Sequence, residues 1–413
     1  MKDNKIYTLK NGLKVIFCQD TSKHSTYAEI IIKYGAMNNE FILNDKKIHI
    51  NDGMAHFIEH LLIEHNMYGN CNEFFHNNYV DSNGSTSIMH TRFYIKTVSN
   101  FLENLEKLIR IVNIPFFNKD DIEKTKPPIY EEIRREKDNN FKQFFFLENK
   151  SLFKSMNFNS VLGEIEEIEN INYDMVKMCY DIFYQPKSQV IAIAGNVDIK
   201  KTIELIQNLY DEIDKKEIEY EIPIINEDDT VCNKESVIFK NVEENFIRIS
   251  YKINISSLAP FERVKLTFYI DYFLKYNFSE FSLAYKKLVE NKISVNNIGY
   301  SYNIVNNYLI IDIDTYTNKE NEFIKLIQET MNKKGMNFDA FEINRKKSII
   351  TMILREENFM KMVHPFIDNV ITFNYYDIDR IEDIENQNYN DFTTTINSLN
   401  FDNYCITKML KDN

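Results

Sequence analysis

Apolar residues recur along this chain with two different periods, and the switches between them outline a mixture of strands and helices. Ile6 to Leu9, the pair Asn11-Gly12 and Leu13 to Phe17 read as strand, turn and strand. A third strand, Tyr27 to Tyr34, ends at Gly35. Met54, Phe57, Ile58, Leu61 and Leu62 then fall at helical spacing and predict a helix from Met54 to about Glu64. Arg92 to Val98 reads as strand, and Phe101 to Val112 as a helix ending before Pro115. A further helix is expected after Pro127-Pro128, running from Ile129 to roughly Lys137, since proline suits a first helical turn. Gln189 to Gly195 predicts a buried strand and Ile199 to Ile213 a helix.

The order then repeats coarsely. Strand (Phe246 to Ile253), helical region (Phe261 to Val289), strand (Tyr308 to Thr315) and helices from Glu320 onward follow a charged segment containing Pro223. The expected organisation is α+β. It consists of a first domain at 1–214, a linker at 215–229 and a second domain of similar fold at 230–413.

Composition narrows the function. A hydrophobic share of 44% is too high for a disordered chain, and 413 residues exceed one ordinary core. The net charge of −13 disfavours nucleic acid, which wants a basic face. No apolar run reaches the ~18 residues of a membrane span, and Met1 to Lys14 lacks the apolar core of a signal peptide. Cys18, Cys71, Cys179, Cys232 and Cys405 are odd in number and without CxxC spacing. That fits free thiols in a reducing compartment, so a cytoplasmic location is expected.

The chemistry gathers at His56-Phe57-Ile58-Glu59-His60. Positions i, i+3 and i+4 share one helix face, so two imidazoles one turn apart can bind a single Zn²⁺. Glu59 would stand beside the open metal position, able to take a proton from water and pass it to a leaving amine. This is the H-x-x-E-H pattern, the inverse of H-E-x-x-H. A histidine pair on a helix is more often solvated or hydrogen-bonded than metal-bound, so a third ligand is required. His24, His49, His65, His76, His90 and His364 lack paired spacing and read as surface or satisfied core histidines.

Around this motif the chain resembles the insulinase-like (pitrilysin-type, M16) inverzincin peptidases, especially their short bacterial processing-protease members. Leu9 to Val15, Tyr34-Gly35-Ala36, Gly53 to His60, Ser82 to Ser87, Phe183-Tyr184-Gln185-Pro186 and Gly195 to Asp198 carry the resemblance in order and spacing. The resemblance implies two α/β-sandwich domains, each an antiparallel-rich sheet covered by helices, forming half of a clamshell. It implies one zinc per chain and a third ligand from a Glu on a later helix. Ile129 to Arg134 resembles that segment and puts Glu132 on the ligand position, 132 − 60 = 72 residues past His60, with Glu131 the competitor. The family's supporting Glu, seven residues earlier, is here Thr125, and Glu123 could replace it. Ser82, Asn83, Gly84 and Ser85 would form the edge strand that pairs with substrate.

The family's second half supplies an Arg and a Tyr that grip substrate. Leu288-Val289-Glu290 and Ile298-Gly299-Tyr300-Ser301 resemble that segment, but Val289 occupies the Arg place. Tyr300 or Tyr302 keeps the Tyr role, or packs as a strand aromatic. The departure points to a second M16-like subunit supplying the pair, a heterodimer, with a homodimer as the alternative. The resemblance thus implies a zinc endopeptidase cutting short or unfolded peptides inside a two-subunit chamber, with Glu59 activating the water. Leader-peptide maturation is one such role; the contrasting reading is a non-catalytic structural or binding subunit.

Overall fold

The computed structural model describes residues 2–156, 160–213, 215–355, 357–375 and 380–412. Met1, Asp214 and Asn413, which bound the expected domains, lie outside them.

The chain opens with the hairpin β1 (Lys2–Thr8) and β2 (Lys14–Asp20), then β3 (Thr26–Ile32) and a short hairpin, β4 (Glu40–Leu43) and β5 (Lys46–His49). Helices α1 (Met54–Glu64) and α2 (Cys71–Asn77) precede β6 (Asp81–Thr86) and β7 (Thr91–Thr97). Next come α3 (Phe101–Asn113), α4 (Lys119–Lys137), α5 (Asn140–Leu152), α6 (Ile165–Glu169) and α7 (Tyr173–Phe183). Strand β8 (Gln189–Gly195) and α8 (Ile199–Ile213) close the first half. The second half holds β9 (Glu235–Lys240), β10 (Phe246–Asn254), α9 (Pro260–Phe278), α10 (Leu283–Glu290), β11 (Gly299–Val305) and β12 (Tyr308–Tyr316). It ends with α11 (Glu320–Asn332), α12 (Phe338–Arg355), α13 (Phe359–Phe373), α14 (Arg380–Glu385), α15 (Tyr389–Ser398) and β13 (Tyr404–Lys411).

The two sheets repeat one topology. The first runs β1-β2-β8-β3-β7-β6 and the second, reversed, β9-β13-β10-β12-β11. In each the pair β2/β8 or β9/β13 is parallel and the other pairings are antiparallel. Thus β3 corresponds to β10, β6 to β11, and the helices α1, α2, α3 and α4 to α9, α10, α11 and α12 in order. Two α/β layers of similar plan are what the fold expectation named.

The compact units are not continuous in sequence. One comprises Met1–Asp138, Phe158–Ile224 and Arg355–Ile371; the other Asn139–Asn157, Ile225–Leu354 and Thr372–Asn413. The reason is the second face of each sheet. Strands β3 and β8 are buried at every position, so both faces need cover. In the first unit the outer face carries Glu29, met by His364 of α13 at 3.2 Å. In the second, α5 covers it with Phe144 against Phe246 and Glu148 against Ser250 and Arg248. A helix from each half of the sequence therefore completes the unit built mainly from the other half.

Two expectations change, and the linker gains detail. Helix α4 begins at Lys119, not after the prolines, because Asn118 and Asp121 form a reciprocal capping box. Pro127 and Pro128 sit inside it on an exposed face, where water can satisfy the carbonyls they orphan. The expected linker, 215–229, contains the passage from one unit to the other at Ile224 and Ile225; at its start Lys215 donates to Tyr184 O and Tyr180 OH, and burial lowers its pKa to about 7. A strand inside the sheet, β13, also follows the helices: its Cys405, Thr407 and Met409 are buried on the α5 side, while Tyr404, Ile406 and Leu410 pack against the main core.

Around α5 three carboxylates, Glu148, Asp312 and Asp314, share Arg248, and burial followed by repulsion from Asp312 pushes Glu148 up to about 8. An unfolded Glu ionises near 4.5, so between that pH and about 8 the folded chain holds a proton the unfolded chain has lost. Stability contributed by this group is full below the unfolded pKa and is lost as pH rises through the window. Glu148→Gln keeps an acceptor for Ser250 without the charge, so its melting temperature should fall less than wild type between pH 5 and 8.5, by the equivalent of a few kcal/mol. Parallel profiles would count against this assignment.

Candidate metal centre

Helix α1 starts at a glycine for two reasons. Gly53 has φ +81°, and a Cβ there would meet Leu162 O at 2.3 Å. The close approach seats α1 under the loop before α6, with Met54, Phe57, Ile58, Leu61 and Leu62 in the core. That leaves His56, Glu59 and His60 facing α4 and β6.

His56 and Glu59 are buried and His60 nearly so. Glu132 Oε2 lies 3.5 Å from His56 Nε2 and 3.7 Å from His60 Nε2. The two rings meet edge-on, centroids 4.6 Å apart. Among the described residues, these three form the one group of metal-type ligands, with donor atoms within 4.8 Å of one another. Ligands held about 2.0–2.1 Å from a tetrahedral zinc are themselves about 3.3–3.4 Å apart. The observed gaps are close to that, and too long for direct hydrogen bonds. Two imidazoles and a carboxylate are also a normal catalytic zinc donor set. The residues fit the metal.

Glu131 turns the other way, exposed and paired with Arg134. Glu123 is 68% exposed and bonded to Lys126, so it does not support the cluster. Thr125 is buried and donates to Asp121 O. The carboxylate that does reach the cluster is Glu64, whose Oε1 lies 3.0 Å from His60 Nδ1 and leaves Nε2 turned toward Glu132. The spacing His60-x-x-x-Glu64 was the available signal for it.

Electrostatics follow from these neighbours. Burial, then His60, lowers His56 to about 4. Burial also opposes the proton on His60, but Glu132, Glu64 and Glu59 outweigh it and raise the ring to about 10. His60 beside Glu132 in turn holds that carboxyl below its usual range. Glu59 goes the opposite way, raised by burial although Thr86 Oγ1 donates to its Oε2 at 2.8 Å.

Strand β6 is an edge and runs past Glu59. A Cβ on Gly84 would meet Ile63 Cδ1 at 2.6 Å and Glu59 Oε1 at 2.9 Å, so any side chain there would push the Ile63 tip and the Glu59 carboxylate aside. Ser82 Oγ donates to Asn72 Oδ1, Asn83 Oδ1 accepts from Gly84 N–H, and Ser85 Oγ accepts from Arg92 Nε at 2.7 Å. The resemblance covers Ser82 to Ser87, and so includes Thr86, but gives neither Thr86 nor Arg92 a role of its own. Tyr300 is in the other unit, half-buried on edge strand β11. Tyr302, on the same strand, is half-buried too. Leu288 is core and Val289 is 48% exposed at the end of α10. His65 pairs with Asp121 at 3.5 Å, and His90 meets Ser87 Oγ through Nδ1 at 3.1 Å.

Fold and site together describe a twice-repeated α/β unit of the inverzincin type, carrying H-x-x-E-H in the first repeat only. Comparison with known proteins agrees. Residues 170–350 match the family model described as "Peptidase M16 inactive domain", a stretch containing none of His56, Glu59, His60 and Glu132. A chain named uncharacterized zinc protease YmfH, from Bacillus subtilis, is 27% identical over 353 residues, covering 84% of this chain and 82% of its own. Zinc protease PqqE of Helicobacter pylori is 25% identical over 260 residues, 60% of this chain and 56% of that one. An M16-like peptidase structure from Alicyclobacillus acidocaldarius superposes with TM-score 0.90 at 18% identity, covering 100% and 99% of the two chains. The periplasmic protease PqqL of Escherichia coli matches at TM-score 0.77 and 14% identity, over 99% of this chain but 48% of that one. In sequence and in fold the chain is thus similar to M16, insulinase-like peptidases.

Proposed function

We propose that the protein is a zinc-dependent endopeptidase for short or unfolded peptides, with His56, His60 and Glu132 holding the metal and Glu59 as general base. The convergence of both Nε2 atoms on Glu132 Oε2, with Glu59 between that cluster and an edge strand, carries the reading. Bound zinc would supply a Lewis acid that polarises the scissile carbonyl and acidifies water. Glu59 takes the proton of the attacking water and returns it to the departing amine. Glu64 keeps the His60 ring turned, and Thr86 keeps the Glu59 carboxylate turned. The free edge of β6 from Ser82 to Ser85 holds the peptide as an added strand, which selects extended chains over folded ones.

The chain spans about half of PqqL, and Val289 stands where the family's Arg would be. Both support a second M16-like subunit that completes the chamber and supplies the Arg/Tyr pair, with Tyr300 of this chain as a substrate contact. A leader-peptide substrate accords with this assembly. A non-catalytic binding subunit is favoured by one observation, the inactive-domain match over 170–350.

Hydrolysis of a quenched, unfolded peptide library separates the two. Activity abolished by a chelator and restored by zinc is expected once the partner subunit is present. Zinc-loaded but inert protein with its partner supports the binding subunit, and full activity from this chain as a single pure species rules out the heterodimer.

A further inference from the structure

The repeated topology gives the second unit a counterpart of the metal centre, and a different chemistry occupies it. In the first unit the cluster sits among α1, β6 and α4. The corresponding elements α9, β11 and α12, with α10 and α11, enclose a cleft of about 1150 Å³. No histidine and no carboxylate lines it. Its charged lining is Lys275, Lys287, Lys333 and Lys347. Lys275 is paired with Asp271 at 2.6 Å. The other three lysines are exposed and have no ion pair among the described residues. The acids near these lysines along the chain do not line the cleft: Glu290 pairs with Lys286 at 3.8 Å, Glu342 with Arg345 at 2.9 Å, and Glu280 accepts from Asn297 Nδ2 at 2.8 Å.

Three unpaired cations around one cleft, in a chain of net charge −13, are a local reversal of sign. The rim is apolar: Phe281 is 98%, Leu283 77% and Ile350 56% exposed. Large apolar side chains this exposed beside a concavity mark a surface built to be covered. The volume is slightly above the roughly 300–1,000 Å³ of a small-molecule site, which leaves room for a ligand of several residues. A nucleic acid would bring phosphates every few ångströms against an acidic protein, and the charged lining includes no arginine to fork onto them. The lining suits carboxylates interspersed with apolar side chains.

We propose that this cleft is a docking site for an acidic, partly apolar peptide segment. Carboxylates would meet Lys287, Lys333 and Lys347 while apolar side chains cover Phe281, Leu283 and Ile350. The cleft shares Tyr300 with the peptidase reading, which makes it a substrate contact, but docking itself needs neither zinc nor Glu59.

Calorimetric titration of the full-length Glu59→Gln chain, which removes the proposed base so that the probes stay intact, tests it. The probes are a short synthetic peptide rich in Glu and Leu, its Gln-for-Glu analogue, and oligothymidylate. The acidic peptide should bind best, and salt should weaken it. Charge reversal at Lys287→Glu, Lys333→Glu and Lys347→Glu together should weaken it about tenfold or more. Phe281→Ser should weaken it without changing the salt dependence. Should the triple variant melt early, the pair Lys333→Gln and Lys347→Gln gives the same reading. Unchanged affinity in folded variants, equal binding of the Gln analogue, or tighter binding of oligothymidylate would overturn the proposal. Because the readout is binding, it stands or fails separately from hydrolysis.

Discussion

Glu59→Gln is expected to lower turnover on an unfolded peptide about 10²–10⁴-fold while zinc content stays unchanged. The carboxylate is buried, accepts from Thr86 Oγ1 at 2.8 Å and lies under Gly84 of the edge strand. Glutamine keeps that hydrogen bond and the shape but cannot accept the proton of water. Glu59 is not in the His56–His60–Glu132 donor cluster, so the metal should remain. A loss of zinc along with activity would make Glu59 a structural element of the site, and retention of full activity would remove it from the mechanism.

Lys252→Met should destabilise the second unit by about 3–5 kcal/mol, the usual cost of breaking a buried ion pair from one side. Lys252 and Glu227 are 0% and 1% exposed and 2.8 Å apart. The ammonium also donates to Leu152 O and Asp228 O, while Glu227 accepts from the backbone N–H groups of Lys154, Ser155 and Met156. Removing the cation leaves a buried carboxylate and several carbonyls short of a donor. A unit of this size should melt roughly 6–20 °C lower. A shift of a degree or two would mean that water replaces the ammonium.

The parts of this fold legible in sequence are those where one period dominates. Strand β3, helix α1 and strand β10 have long, unbroken apolar patterns, and all three were placed within a residue or two. Strand β6 has no such pattern: Asp-Ser-Asn-Gly-Ser-Thr holds its place by pairing with β7 on one side only, and it was visible through resemblance alone. The start of α4 was misjudged because two adjacent prolines outweighed the Asn118/Asp121 capping box in a local reading. The exchange of α5 and α13 between units could not be read at all. It depends on which sheet face each helix covers, not on its own period.

At the site the pattern is similar. His56, Glu59 and His60 were legible because a helix converts their spacing into one face. Spacing could not choose between Glu131 and Glu132, which differ by one step around α4. The structure puts Glu132 against both imidazoles and Glu131 in solvent beside Arg134. Glu64 went unnoticed because its role appears only once both nitrogens of His60 are accounted for.

The most direct test is zinc content by elemental analysis for wild type, Glu132→Ala and Glu131→Ala, each purified without added metal. One zinc per chain is expected in wild type and Glu131→Ala, and nearly none in Glu132→Ala. A Glu132→Ala protein that keeps its zinc, or a wild type that binds none when zinc is supplied, would contradict the account.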